Sequence, residues 1–121
     1  MKTIKLVSWN VNGIRAVSKK GFHQWLDLEQ PDILCLQETK AKHEQLELTL
    51  TEREHYPVID YNSAERPGYS GVATWCSVAA KPITISHGTG NLDFDSKYDI
   101  EGRVIQSHHQ LGSFDFILYN I

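Results

Sequence analysis

Ile33-Leu34-Cys35-Leu36 is an unbroken apolar run set between Pro31-Asp32 and Gln37-Glu38. A strand with apolar side chains on both faces needs cover above and below, as in the interior of an α/β sheet. The run passes straight into Glu38, so the chain delivers a carboxylate at the C-terminal end of a buried strand. A second strand of this kind lies upstream. Lys2 to Trp9 sets Ile4, Leu6 and Val7 among polar residues, and Asn10 to Gly13 has the Asn and Gly chemistry that ends a strand. Between the two, Lys20 to Gln30 carries Phe22, Trp25, Leu26 and Leu28 near helical spacing, and Pro31 stops it.

A helix crossing between consecutive strands makes them parallel by the right-handed crossover rule. Parallel strands gather the groups at their C-terminal ends into one crevice. Asn10, Asn12 and Glu38 are therefore expected to converge. One carboxylate with neutral oxygen donors and water suits a hard cation such as Mg²⁺. Plainer readings of the same residues stand beside this one. Asn and Gly build turns by themselves, and Glu38 can be a surface or helix-start carboxylate bonded to Thr39 or Lys40.

The rest of the chain turns mostly to strands. His43 to Glu54, with Leu46, Leu48 and Leu50 among polar residues, predicts a short exposed helix. Strands are expected over Pro57–Tyr61, Gly71–Val78, Pro82–Ser86, Gly102–His109 and Ser113–Ile121, with short connections as in an antiparallel meander and a polar loop over Asn62–Gly68. Neither a repeat nor a low-complexity tract divides the 121 residues, and one domain is expected. In the last strand Phe114, Phe116 and Leu118 alternate with Asp115, Ile117 and Tyr119, so both faces are largely apolar and both need cover.

The net charge of −3 argues against broad electrostatic attraction to nucleic acid, so such contact needs a local cationic cluster. Arg15, Lys19, Lys20, Lys40 and Lys42 follow the two strand endings and could form one; for Lys42 a solvated face is expected. Tyr69, flanked by Gly68 and Ser70-Gly71, suits either a hairpin turn or a loop laid against a sugar-phosphate backbone. Glu101 and Arg103 sit two apart on a strand, where a structural ion pair is expected. Asp93, Asp95 and Asp99 lack the spacing of a calcium loop and read as solvated carboxylates. No catalytic role falls to the six histidines; those of His108-His109 should point to opposite sheet faces. Cys35 and Cys76, each in an apolar strand, read as reduced core thiols. With no apolar run of membrane-spanning length and no signal-peptide core, a cytoplasmic protein without membrane contact is expected.

Ser8-Trp9-Asn10-Val11-Asn12-Gly13-Ile14-Arg15-Ala16, Asp32-Ile33-Leu34-Cys35-Leu36-Gln37-Glu38-Thr39-Lys40, Gly68-Tyr69-Ser70-Gly71-Val72 and Glu101-Gly102-Arg103-Val104-Ile105 together resemble, in order and spacing, the exonuclease III family of apurinic/apyrimidinic endonucleases. The likeness spans nearly the whole chain but only the N-terminal half of such an enzyme. It implies an α/β fold: residues 1–121 would be the N-terminal part of a single endonuclease/exonuclease/phosphatase domain, a four-layer sandwich in which a mixed sheet with flanking helices packs on a second sheet. That second sheet would come largely from sequence beyond Ile121. Alone, the chain is expected to expose a large apolar sheet face and to aggregate.

The resemblance also implies a DNA repair phosphodiesterase, dependent on Mg²⁺ or Mn²⁺, that cleaves double-stranded DNA 5′ to abasic sites and in some relatives acts as a 3′ exonuclease. Glu38 would ligate the metal and Asn10 would orient the groups that handle the attacking water. Asn12, at a position that holds Asp in some relatives, would be a further metal ligand. Arg15 and Lys19, or Lys20 one residue on, would grip phosphates; Lys40 would support the metal carboxylate or a phosphate; Gly68 and Tyr69 would touch the backbone and minor groove. The family's active-site histidine with its aspartate, the Asp and Asn for the water, and a phosphate-contacting tyrosine fall beyond Ile121. No obligate protein partner is implied, and the place of work would be the nucleoid or nucleus. Two other readings remain: a superfamily phosphatase or sphingomyelinase-like enzyme acting on inositol phosphates or lipids, and a noncatalytic DNA-binding fragment. The loops at Gly68–Gly71 and Glu101–Arg103 favour the DNA branch.

Overall fold

The apolar run is the interior strand β2 (Ile33–Gln37) of a four-stranded sheet, in a computed structural model that describes residues 3–88 and 101–121. β1 (Leu6–Asn10) lies parallel to it, and β4 (Val72–Cys76) and β3 (Val58–Asn62) follow antiparallel on its other side, giving the order β1-β2-β4-β3. β2 and β4 occupy the middle and are buried along their length, except for Gln37 at the end of β2.

Two helices rather than one make the parallel crossover, α1 (Ile14–Ser18) and α2 (Phe22–Glu29). Gly21, at φ 100°, separates them. Ile14, Phe22 and Leu26 are buried, with the Phe22 ring 5.8 Å from Trp9 and 5.6 Å from Trp75. Leu28 was expected on this face but is 84% exposed. Six residues beyond Phe22, it has turned to the far side of a 3.6-residue helix.

The helix expected over residues 43–54 is replaced by two 3₁₀ turns, His43–Gln45 and Leu48–Leu50. Leu46, Leu48 and Leu50 recur every second residue, a spacing that cannot share one helical stripe. Leu50 is accordingly buried while Leu48 is 67% exposed.

A second, antiparallel sheet follows the order β5 (Thr84–His87), β6 (Ile105–Leu111), β7 (Phe114–Asn120). The meander expected from the sequence thus holds for the last three strands, whereas β3 and β4 join the first sheet. Three strands of this second sheet are present among the described residues. Ile33, Cys35 and Cys76 of the first sheet pack with Leu111, Phe114, Phe116 and Leu118 of the second. The inner face of β7 is therefore covered. Its outer face is mixed rather than apolar, because Asp115, Ile117 and Tyr119 pair with Gln110, His108 and Gln106. Both cysteines are free and buried in this layer, where burial lifts the Cys35 thiol to about 11 and the Cys76 thiol to about 12. Asp93, Asp95 and Asp99 lie outside the described residues. No described helix is long and apolar enough to cross a membrane.

His108 and His109 do face opposite ways. His108 Nε2 meets Asp115 Oδ1 at 2.7 Å on the outer face. His109 is fully buried between the sheets, stacked on Phe116 with ring centres 5.1 Å apart. Its Nδ1 lies 3.1 Å from the Ala80 carbonyl and its Nε2 2.8 Å from Ser107 Oγ, a pattern that a neutral ring satisfies by donating at Nδ1 and accepting at Nε2. Burial pushes its pKa below the ordinary 6.5. With the folded value depressed, its stabilisation is present above 6.5 and is lost as pH falls below it. The urea midpoint is expected to drop between about pH 7.5 and about pH 5.5, and His109→Gln should shrink that drop. An equal drop in the variant would assign it to other groups.

Candidate functional site

The parallel register sets Asn10 opposite Gln37, and the two chains stay together beyond their strand ends. Val11 N donates to Gln37 O at 3.0 Å, Gly13 N to Glu38 O at 2.7 Å and Ile14 N to Thr39 O at 3.0 Å. A third segment closes the other side. Thr39 N donates to Gly71 O at 3.1 Å, Lys40 N to Ser70 O at 2.8 Å, and Gly71 N to Gly102 O at 3.1 Å. Glu38 is thus held in a clasp made by the ends of β1 and β2 and the loop before β4. Asn12, Glu38, Lys40 and Ser70 all take φ between 47° and 55°. Side chains with a Cβ adopt this region at a cost of about 1 kcal/mol each, and such strain persists where surrounding bonds over-determine it.

Asn10 both makes the turn and meets Glu38. Asn10 Oδ1 accepts from Asn12 N at 3.1 Å, which forms the turn, while Asn10 Nδ2 donates to Glu38 Oε2. Lys40 Nζ stands 3.7 Å from Glu38 Oε1 and donates to Asn12 Oδ1 at 2.6 Å. Asn10, Asn12, Glu38 and Lys40 therefore form one polar cluster, in which Asn12 faces Lys40 rather than Glu38. The Glu38 carboxylate opens on a cleft of about 350 Å³ that Asn10, Gln37, Ser70, Gly71 and Arg103 also line. Among the described residues that line the cleft, Glu38 is the acid, and no group of three or more His, Cys, Asp or Glu gathers among the described residues.

Beside the cleft runs a groove of about 500 Å³ lined by Gly13, Arg15, Ala16, Lys19, Lys40 and Gly68. Of the two candidate lysines, Lys19 lines it and Lys20 does not. Lys42 lines neither space. Arg15 Nη2 lies 3.4 Å from the Lys40 carbonyl, which ties α1 to the Glu38 turn.

Tyr69 stands at the rim. Its hydroxyl accepts from Arg103 Nη2 at 2.9 Å, and the guanidinium carbons of Arg66 and Arg103 lie 5.4 and 5.7 Å from its ring centre. Arg103 also pairs with Glu101, as expected, and this hydrogen bond comes first among the causes that raise the pKa of its guanidinium. Sequence reasoning stopped at that pair. It missed Arg103 as a cation lining the Glu38 cleft, because nothing local in Glu101-Gly102-Arg103 says that the segment docks on the Ser70-Gly71 loop.

A model of the endonuclease/exonuclease/phosphatase family matches residues 7–112. The chain belongs to this family. Among curated relatives it is 42% identical over 103 residues to the DNA repair nuclease APEX1 of Danio rerio, covering 84% of this chain and 31% of that protein. It is 43% identical over 103 residues to the exodeoxyribonuclease of Bacillus subtilis, covering 84% of this chain and 37% of that one. The Xenopus laevis APE2 catalytic domain superposes with a TM-score of 0.78 at 31% identity, over 98% of this chain and 44% of that one. The AP endonuclease of Leishmania major does so at 0.72 and 27% identity, over 97% and 39%. The family likeness drawn from the four sequence blocks and the α/β class are both borne out. This member of the family spans less than half the length of each of these relatives.

Proposed function

We propose that this chain forms part of a DNA repair phosphodiesterase that requires Mg²⁺ or Mn²⁺ and cuts double-stranded DNA on the 5′ side of abasic sites, leaving a 3′-hydroxyl, with 3′ exonuclease activity as a related use of the same site. The observation that carries this is the Glu38 carboxylate, held by Asn10 in a cleft that a hollow lined by Glu38, Lys40, Gly68 and Tyr69 joins to the groove bearing Arg15 and Lys19. Three cations along one groove match the successive phosphates of a nucleic-acid backbone. That spread favours DNA over a lipid phosphoester, and the Gly68–Gly71 and Glu101–Arg103 loops favour it over an inositol phosphate. The names of the relatives point the same way.

The donor set fits a hard divalent ion. Glu38 is a half-exposed carboxylate whose Oε2 is steadied by an amide, and Asn10 and Asn12 bring neutral oxygens close by. Mg²⁺ keeps several waters and is commonly held by one or two carboxylates with substrate phosphate. Glu38 would be its ligand; Asn12 would join on releasing Lys40. Held there, such an ion would supply positive charge to offset that on the scissile phosphate and the leaving oxygen. Asn10 keeps the carboxylate aimed into the cleft. Lys40 adds positive charge within reach of a phosphate. Arg15 and Lys19 hold neighbouring phosphates and set the register of the strand. Tyr69, braced by Arg103, offers a ring to the sugar face, and Gly68 lets the backbone approach. The abasic nucleotide leaves the duplex easily, since it has no base to unstack. The groups that activate water are assigned to sequence outside this chain.

A nicking assay on an abasic duplex, run on the complete protein, tests the reading. Cutting with Mg²⁺ and none with EDTA supports it. Binding without cutting leaves a DNA-binding module, and release of phosphate from inositol phosphates moves the protein to the phosphatase branch. Arg15→Ala is expected to weaken binding and to reduce the salt slope by about one, the contribution of one neutralised phosphate. An unchanged slope would make Arg15 a tie between α1 and the Glu38 turn.

A further inference from the structure

The inward-facing residues of β7 are Phe114, Phe116 and Leu118, all packed on the first sheet, until the series breaks at Asn120. Asn120 is buried as deeply as the apolar residues around it. Its Nδ2 donates to the Ala73 carbonyl at 2.7 Å and lies 3.2 Å from Thr74 Oγ1 and 3.4 Å from the Leu36 carbonyl, so the amide spans the β2–β4 pair. Its Oδ1 accepts from Gln37 Nε2 at 2.9 Å, and the same Gln37 nitrogen donates to Ser8 Oγ at 3.0 Å. Both hydrogens of the Gln37 amide are thereby engaged, one toward β1 and one toward the second sheet. An apolar side chain would fill this position without desolvating an amide, so packing alone gives no reason for Asn there.

What the amide holds is the residue immediately before Glu38. The main chain leaves β2 at Gln37 and turns at once into the left-handed region, at φ 53° for Glu38. A rotation of 10–20° at that junction moves the end of a glutamate side chain by about 1 Å, enough to spoil a cation or phosphate site. We propose that Asn120 is a positioning residue for Glu38, acting through Gln37 and locking the second sheet to the metal-facing end of the first. The proposal rests on the nuclease reading above and adds to it a residue that touches neither cation nor DNA.

The test uses the complete enzyme as wild type, Asn120→Leu, Gln37→Met and the double variant. Mn²⁺ affinity is read from the electron paramagnetic resonance of free Mn²⁺, abasic-duplex cleavage is split into kcat and KM, and urea unfolding is followed in parallel. Each single variant is expected to bind Mn²⁺ about 10-fold more weakly and to lose about 10-fold in kcat, as for partners that orient a metal ligand, with KM for the duplex little changed. The double variant should lose no more than the worse single one. Variants that lose only stability, with Mn²⁺ affinity and kcat as in wild type, overturn the proposal, as does a double variant whose losses add. Should Asn120→Leu fail to fold, Asn120→Ser takes its place, and a Gln37→Met enzyme with wild-type Mn²⁺ affinity and kcat overturns the proposal by itself. A wild-type protein that neither binds Mn²⁺ nor cuts the duplex defeats the nuclease reading itself, and this inference with it.

Discussion

Glu38→Ala in the complete enzyme is expected to lower metal-dependent cutting of an abasic duplex by about 10³-fold, equivalent to about 4 kcal/mol of transition-state stabilisation. Glu38 is the acid among the described residues that line the cleft, so its loss would remove the anionic ligand proposed for the cation. Binding of the uncut duplex in EDTA should survive or tighten, because a negative charge beside the phosphate path has gone. Glu38→Gln separates charge from scaffolding. Its amide oxygen can still accept from Asn10 Nδ2, so the clasp stays satisfied while the charge is lost. Both variants should therefore be slow and fold normally. A Glu38→Gln enzyme cutting near the wild-type rate would reduce Glu38 to a turn residue.

Gly102→Ala is expected to cost about 3 kcal/mol of stability, combining left-handed backbone strain with a steric clash. At φ 61° a Cβ on Gly102 would fall 2.5 Å from Ala64 N and 2.6 Å from the Ser63 carbonyl carbon, atoms of the main chain that cannot swing aside. The carbonyl of Gly102 receives Gly71 N, and Gly71 O in turn receives Thr39 N, so displacement here passes directly to the Glu38 turn. Gly68→Ala supplies the contrast. Its φ is 70°, yet nothing lies within 4 Å of the added Cβ, and strain alone should cost about 1 kcal/mol. Urea unfolding of the pair measures the difference, and equal losses would show that the close approach at Gly102 relaxes without cost.

The features read correctly in the sequence are those fixed by nearby residues. The Ile33–Leu36 run and the Asn10–Gly13 turn carry their own signals of burial and chain reversal, and the right-handed crossover rule then brings Asn10 to Glu38 without any long-range information. His108 and His109 follow from the two-residue period of a strand alone. What escaped notice depends on contacts distant in sequence. Gly102 meets Gly71, Arg103 meets Tyr69, and Asn120 meets Gln37 across 83 positions, and no local pattern marks any of these pairs. The helix expected over residues 43–54 is absent for another reason: Leu46, Leu48 and Leu50 alternate, and that spacing does not fit one helical face.

Two parallel strand ends place Glu38, steadied by Asn10, at the proposed position of a divalent cation. Anomalous diffraction from crystals of the complete protein grown with Mn²⁺ locates the ion without reference to activity. The predicted result is a peak at about 2.1 Å from a Glu38 carboxylate oxygen, inside the cleft shared with Asn10 and Arg103. A fully occupied peak elsewhere, with Glu38 bonded only to Asn10 and Lys40, would contradict it.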